Sequence, residues 1–215
     1  MNSLTEENYL KALLSLSDDS GEVNVAAISK RLGIKMPTVT SMMRKLAGKH
    51  LVEYKRYRPL RLTKKGKKEA RLIIRRHRLT ELFLVEKMGF GWEEVHQIAE
   101  QLEHIQTKEF FERMDTILGF PKIDPHGRPI PDKIGLIKQK KLFRLSSRNV
   151  SEVVTLKAVE NATDDFLKIL NKRDIHLGVK IRIQTIEQND RSMIVSYGKK
   201  KHETLSRTIC ERLLV

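Results

Sequence analysis

The segment from Val25 to Gly48 constrains this chain most. Two runs, VAAISKRL at 25–32 and PTVTSMMRKLAG at 37–48, carry apolar residues at helical spacing, and four residues separate them. Two short helices joined this tightly must pack against each other, which is the helix-turn-helix pattern. Gly33 supplies the left-handed backbone that the sharp turn needs. Pro37 stands where a first helical turn tolerates a missing N–H. Upstream, residues 5–17 predict a further helix, with Thr5 as N-cap and Leu10, Leu13, Leu14 and Leu16 as its apolar stripe, and residues 18–22 predict a turn. Downstream, residues 51–55 and 59–62 predict two short strands around the tip Lys55-Arg56-Tyr57-Arg58. Three cations at a hairpin tip suit phosphates better than a core, so the hairpin is read as a wing. Thr63 then caps a long helix over 63–87, whose first half carries Lys64, Lys65, Lys67, Lys68 and Arg71.

Charge points the same way. The net charge is +15, unevenly placed. Residues 1–76 hold 18 basic and 7 acidic side chains, residues 77–140 hold 9 and 11, and residues 141–215 hold 15 and 9. A basic N-terminal third beside an acidic middle suggests a module for duplex DNA joined to something else. On that reading Thr38, Thr40, Ser41 and Arg44 face the major groove from the second helix of the pair. Lys35 and Lys45 lie near phosphates, and Arg56, Arg58, Lys64 and Lys65 contact the backbone.

The second half of the long helix is apolar at Leu79, Leu82, Phe83, Leu84, Val85 and Met88. Two more helices are predicted, from Trp92 to about 104 and over 107–118. Their apolar faces supply a core and a subunit interface, since winged-helix readers dimerise to match two half-sites. Residues 119–150, rich in proline and charged turn residues, read as loop and linker. From 151 the pattern turns to strands, with VVTLKAV, a helix TDDFLKILNK, then GVKIRIQTIE and SMIVSYG, a small domain of β-barrel type. The expected fold is mainly α with a small β part: residues 1–74 a winged helix-turn-helix, 75–140 a helical metal-binding and dimerisation domain, and 150–215 a third domain. The single cysteine excludes an internal disulfide framework and a thiolate zinc site. No apolar run approaches the roughly 20 residues of a membrane helix. The opening MNSLTEENYL is acidic and polar, unlike a secretory signal, so a cytoplasmic protein without a membrane partner is expected.

Five of the seven histidines lie between positions 50 and 126. His77 and Glu81, four apart, share one face of the long helix. His96, Glu100, Glu103 and His104 form one stripe of the next helix, opposite Val95, Ile98, Leu102 and Ile105. Two imidazoles and two carboxylates on one stripe are costly unless solvated or bound to a cation. An imidazole-carboxylate set without thiolate suits manganese, iron(II), cobalt or zinc with five or six ligands.

These residues resemble the metal-dependent repressors of the diphtheria toxin repressor and manganese transport regulator type. The resemblance rests on TEENYLKAL at 5–13, GIKMPTVTSMMRKL at 33–46, LTKKGKKEA at 62–70, RRHRLTELFL at 75–84, VHQIAEQLEHI at 95–105 and PHGRPIP at 125–131. It covers nearly the whole chain and makes the last 65 residues similar to an SH3-like domain. It implies a homodimer that binds a palindromic operator when loaded with a divalent metal, as a repressor of metal-uptake genes, with no small organic substrate. It implies a primary site at Asn8, with Glu7 beside it, His77, Glu100, Glu103 and His104. It implies an ancillary site at Glu81, His96, Asp124, His126 and Asp165. Glutamate at 100, where the iron branch has cysteine, points to Mn2+, with Fe2+ as the alternative. Two positions depart from the family. Asn8 offers a neutral carbonyl oxygen in place of aspartate or methionine, and Lys11 stands where the manganese branch can carry glutamate, so no binuclear site is assigned. Two other functions remain open: a winged-helix regulator of a non-metal ligand, and a metal-dependent hydrolase, for which no catalytic motif is present.

Overall fold

A computed structural model describes residues 2–17, 20–138 and 141–215; Asp18 and Asp19 of the expected turn lie outside them. The chain packs as two compact units. The first comprises Met1–Thr80, Ala99–Phe120 and Ile130–Ile137, and the second Glu81–Ile98, Pro121–Pro129 and Lys138–Val215.

In the first unit, α1 (Leu4–Leu16) is capped by Ser3 and not by Thr5. The Ser3 hydroxyl accepts from the Glu6 N–H at 3.3 Å, and the Glu6 carboxylate accepts from the Ser3 N–H at 2.7 Å. This reciprocal capping box needs an acid three residues after the cap, and only Ser3 has one. The expected helix pair forms as α2 (Val25–Leu32) and α3 (Met36–Gly48), with Gly33 at φ 65° between them. The wing is β2 (Val52–Glu53) and β3 (Leu60–Leu62). A two-residue strand, β1 (Glu22–Val23), pairs with β3 on its other side, giving the antiparallel order β1-β3-β2. Two residues carry no periodicity, so β1 was not visible in the sequence. Tyr9, Leu10, Leu13, Ile28, Val39, Met43, Leu46, Leu51, Leu60 and Ile73 form the core.

The long helix α4 (Lys64–Met88) starts where expected, with the Thr63 hydroxyl accepting from the Gly66 N–H at 3.0 Å. A side chain at Gly66 would begin 2.0 Å from the Leu51 carbonyl oxygen, so glycine lets α4 lie directly against the wing's backbone. The next helix, α5 (Val95–Leu102), is shorter than the expected 92–104. The Glu103 N–H still donates to the Ala99 carbonyl at 2.9 Å, but the Ile105 N–H turns back to Leu102, so His104 lies beyond the helix. Helix α6 (Lys108–Ile117) follows, preceded by Thr107 at its N-cap position.

The second unit contains the expected strand-rich part: β4 (Val153–Thr155), β5 (Ala158–Val159), α7 (Asp164–Lys172), β6 (Lys180–Ile186), β7 (Met193–Tyr197), β8 (Lys200–Leu205), α8 (Arg207–Arg212) and β9 (Leu213–Leu214). An antiparallel sheet runs β4-β6-β7-β8, and β5 pairs with β9. Leu145, Leu156, Phe166, Leu167, Ile181, Ile183, Val195, Leu205 and Leu213 are among its core residues. Strand β8 escapes sequence reading because KKHETL lacks an apolar face. Part of the segment expected to be linker is instead a closed loop. Ile123 pairs with Pro129, Gly127 has φ 85°, and the Val159 N–H donates to the His126 carbonyl at 2.9 Å.

Candidate metal centre and nucleic-acid interface

Helices α1 and α4 and the turn after α5 bring five of the expected ligands together in the first unit. The Glu103 side chain is fully buried and lies beside His77, whose Nδ1 is 2.6 Å from Glu103 Oε2. His104 Nδ1 is 2.6 Å from Glu7 Oε2, and its Nε2 is 3.0 Å from Asn8 Oδ1 and 3.5 Å from Glu103 Oε1. The other Glu7 oxygen accepts from Arg76 at 2.8 Å. The Lys11 ammonium donates to both Glu103 oxygens, at 2.8 and 3.0 Å, and lies 3.5 Å from the half-exposed Glu100. Burial pushes the Glu103 carboxyl up, but the His77 hydrogen bond and the charges of Lys11 and His77 outweigh it and hold the carboxyl below its usual range.

The geometry at His104 is informative. A 2.6 Å contact between Nδ1 and a carboxylate places a proton on Nδ1. In the neutral ring Nε2 is then a lone pair, turned on two acceptor oxygens, Asn8 Oδ1 and Glu103 Oε1. Acceptors facing one another repel unless a cation lies among them, the ring is protonated or the Asn8 amide turns its N–H2 to the ring, and the Lys11 ammonium already meets one of them, Glu103 Oε1, at 2.8 Å. The donor set suits a divalent ion that takes the place of the Lys11 ammonium: one imidazole nitrogen, one amide oxygen and a buried carboxylate, with Glu100 at the rim. Glu7, held between His104 and Arg76, orients the ring from behind, as carboxylates do for metal-bound histidines.

His96 lies in the second unit beside Glu81, the residue with which the resemblance grouped it, its Nδ1 3.3 Å from Glu81 Oε1. His96 stands in the first turn of α5, whereas His104 lies past its end at Leu102. In that unit Glu81, Asp124 and His126 are buried and bring their ligand atoms within 4.8 Å of one another. Asp165 is exposed in the first turn of α7, and among the described residues no hydrogen bond or ion pair joins it to this cluster. Sequence reading missed Arg128, which lies within the cluster. Its Nε donates to Asp124 Oδ2 at 2.7 Å and its Nη2 to Glu81 Oε2 at 2.8 Å. The only sequence signal was a cation four residues after Asp124, inside the tight loop.

The expected nucleic-acid face is exposed. Lys35, Thr38, Ser41 and Arg44 on or just before α3 are exposed and Thr40 is half-buried, while Val39, Met43 and Leu46 turn into the core. Arg56, Arg58, Lys64 and Lys65 are exposed as well. Lys45 has a partner inside the protein, the buried Glu6 at 3.3 Å, and Lys49 lies 2.8 Å from the same carboxylate. The Lys65 ammonium reaches the Lys49 carbonyl at 3.3 Å.

Residues 1–60 match the family model "Iron dependent repressor, N-terminal DNA binding domain", and residues 63–132 match "Iron dependent repressor, metal binding and dimerisation domain". The chain is 30% identical over 207 residues to the iron-dependent repressor IdeR of Mycobacterium leprae, covering 91% of this chain and 90% of that protein. This chain belongs to the iron-dependent repressor family. Members of the family are metal-dependent DNA-binding transcriptional repressors, and both iron and manganese regulators are among its relatives. The HTH-type transcriptional regulator MntR of Oceanobacillus iheyensis is 31% identical over 118 residues, 55% of this chain and 80% of that protein. Among solved structures, a manganese-dependent transcriptional repressor in complex with manganese matches with a TM-score of 0.85 and 29% identity over 98% of both chains. ScaR with bound Zn2+ matches with a TM-score of 0.78 and 30% identity over 97% of both chains. The winged reading head, helical middle and C-terminal antiparallel sheet expected from the sequence are thus the architecture of this family. Among the described residues no helix is long and apolar enough to cross a membrane.

Proposed function

We propose that this repressor is activated by a divalent ion, manganese in preference to iron(II), held by Asn8, Glu100, Glu103 and His104, with His77 and Glu7 supporting Glu103 and His104. The observation that carries this reading is the convergence of the His104 Nε2 lone pair with Asn8 Oδ1 and Glu103 Oε1. Every donor is imidazole, amide or carboxylate, the set that suits a hard ion. When bound, the ion supplies positive charge that these donors share. The residues themselves do the mechanical work. Asn8, Glu7 and Lys11 belong to α1, which packs on α2 of the reading head, whereas Glu100, Glu103 and His104 belong to α5 and the turn after it. Drawing the two sets together fixes α1, and with it the reading head, against the helical middle. In a homodimer this sets the distance between two recognition helices, which half-sites one turn apart require to be about 34–36 Å. A coupling of roughly 1–3 kcal/mol would tighten operator binding about 5–150-fold, and DNA would tighten metal binding by the same factor. Thr38, Thr40, Ser41 and Arg44 read base edges, while Lys35, Arg56, Arg58, Lys64 and Lys65 hold phosphates. Lys45 joins them only if it leaves Glu6.

The test is operator binding with Mn2+ or Fe2+ under anaerobic conditions, alongside equilibrium dialysis of the metal. Glu103→Gln and His104→Ala should lose the metal response and the tight metal while remaining folded dimers. A Glu103→Gln variant with the wild-type manganese midpoint would show that this cluster is only a polar face.

A further inference from the structure

The second cluster carries its own cation. Glu81 and Asp124 have fully buried carboxylates, His126 is almost fully buried, and the Arg128 guanidinium reaches all three. Its Nε donates to Asp124 Oδ2 at 2.7 Å, and its Nη2 donates to Glu81 Oε2 at 2.8 Å and lies 3.0 Å from His126 Nδ1. The tautomer of His126 follows from its other nitrogen. Nε2 is 2.8 Å from the Trp92 carbonyl, to which only an N–H can bond, so in the neutral ring Nδ1 is an acceptor. The loop is built to hold this arrangement. Asp124 Oδ1 accepts from the backbone N–H groups of His126 and Arg128, both at 2.9 Å, which aims Oδ2 at the guanidinium. The Trp92 ring stacks on His126 with centroids 6.0 Å apart.

Arg128 thus already holds one candidate ligand atom of each residue in the cluster: His126 Nδ1, Glu81 Oε2 and Asp124 Oδ2. Arginine suits this role because its planar fork satisfies several acceptors at fixed angles and keeps its charge at any accessible pH. Its side chain is 31% exposed, so the head has solvent beside it.

We infer that Arg128 is the resident cation of the Glu81–Asp124–His126 cluster, and that a divalent ion enters there only by displacing the guanidinium. The cluster then stays closed without metal, and the two clusters fill in order, the His104 cluster first, because Lys11 holds a single buried carboxylate there whereas Arg128 holds two carboxylates and an imidazole here. This goes beyond the proposed function: the role of Arg128 stands on the second unit alone, and the order of filling rests on the proposed His104 site. It assigns a specificity-determining role to a residue that would not itself ligate the metal.

The test is titration of the metal-free full-length protein with Mn2+ alone, comparing wild type, Arg128→Ala and Arg128→Ala combined with Glu81→Gln. Wild type should bind a second ion at least about tenfold more weakly than the first, because the resident charge opposes it. Arg128→Ala should tighten that second event by about tenfold or more, and adding Glu81→Gln should remove the gain. Arg128→Lys keeps a charge but cannot span three acceptors, and should fall between wild type and Arg128→Ala. Metal-free Arg128→Ala should melt at a lower temperature than wild type, and Mn2+ should restore more of the loss than it adds to wild type. If Arg128→Ala does not fold without metal, the manganese concentration that restores folding reads the same affinity. A second event unchanged by Arg128→Ala, a gain that survives Glu81→Gln, or a melting loss that Mn2+ leaves in place would each overturn the assignment. Failure of the proposed function is read separately, from the first, tight event in Glu103→Gln.

Discussion

Replacing Lys11 with glutamine should make the protein bind metal more tightly and, without metal, make it less stable. The Lys11 ammonium lies 2.8 and 3.0 Å from the oxygens of a carboxylate with no solvent exposure, and its own side chain is 22% exposed. Two charges of +1 and +2 sharing one carboxylate, on the order of 5 Å apart at an effective dielectric of about 20, repel by about 7 kcal/mol. Lys11 can withdraw toward solvent at modest cost, so a net penalty of about 1–3 kcal/mol is expected, or roughly 10–100-fold in metal affinity. Removing the ammonium from the metal-free protein leaves Glu103 with His77 as its nearest partner, at a cost of about 1–3 kcal/mol. Equilibrium dialysis against Mn2+, with thermal unfolding of the same metal-free samples, reads both quantities. A Lys11→Gln protein whose manganese Kd stays within about twofold of wild type, with an unchanged metal-free Tm, would refute the argument that Lys11 acts as a competing cation.

Two further outcomes are expected. Glu6 is buried between Lys45 and Lys49; burial pushes its carboxyl up, yet the Lys49 hydrogen bond, the Ser3 N–H and Lys45 bring it down to about 2. A lowered folded-state pKa gives stability that is present above about pH 4.5 and lost as the pH falls toward 2, so Glu6→Gln should cost about 1–3 kcal/mol at pH 7 and little at pH 2.5, as urea unfolding at the two pH values would read. Arg58→Ala should weaken operator binding about equally across sequences and lower the salt slope by about one unit, and an unchanged slope would remove this arginine from the footprint.

The reading head was legible because its signals are local. Gly33, Pro37, Thr63 and the apolar spacing of α3 act over a few residues, and each marks what the structure shows. Position 5 misled because threonine is a good cap in isolation, whereas the box formed by Ser3 and Glu6 satisfies two backbone groups together. The metal cluster was legible in composition and only partly in geometry. Helical periodicity put His96 and His104 on one stripe, and nothing in the residue pattern marks the end of α5 at Leu102, where no glycine or proline stands. Internal cations are harder still. Lys11 meets Glu103 across 92 residues and Arg128 meets Glu81 across 47, pairings that only tertiary structure creates.

The tight turn at Gly127 has a consequence for how this chain can vary. A side chain there would begin 2.0 Å from the Lys157 carbonyl oxygen and 2.5 Å from the Ala158 Cα, and the His126 carbonyl is already bonded to Val159. The loop presenting Asp124, His126 and Arg128 is thus cast against the backbone between β4 and β5 as a seal against its seat. Mutational drift along β5 would reach the second cluster without touching any of its four side chains. A shortened descendant lacking the strands from β4 onward would retain Glu81 on α4, yet lose the wall that shapes the loop. The Arg128 cluster thus owes the shape of its loop to the β5-β9 pair, whereas the cluster around His104 is built within the first unit.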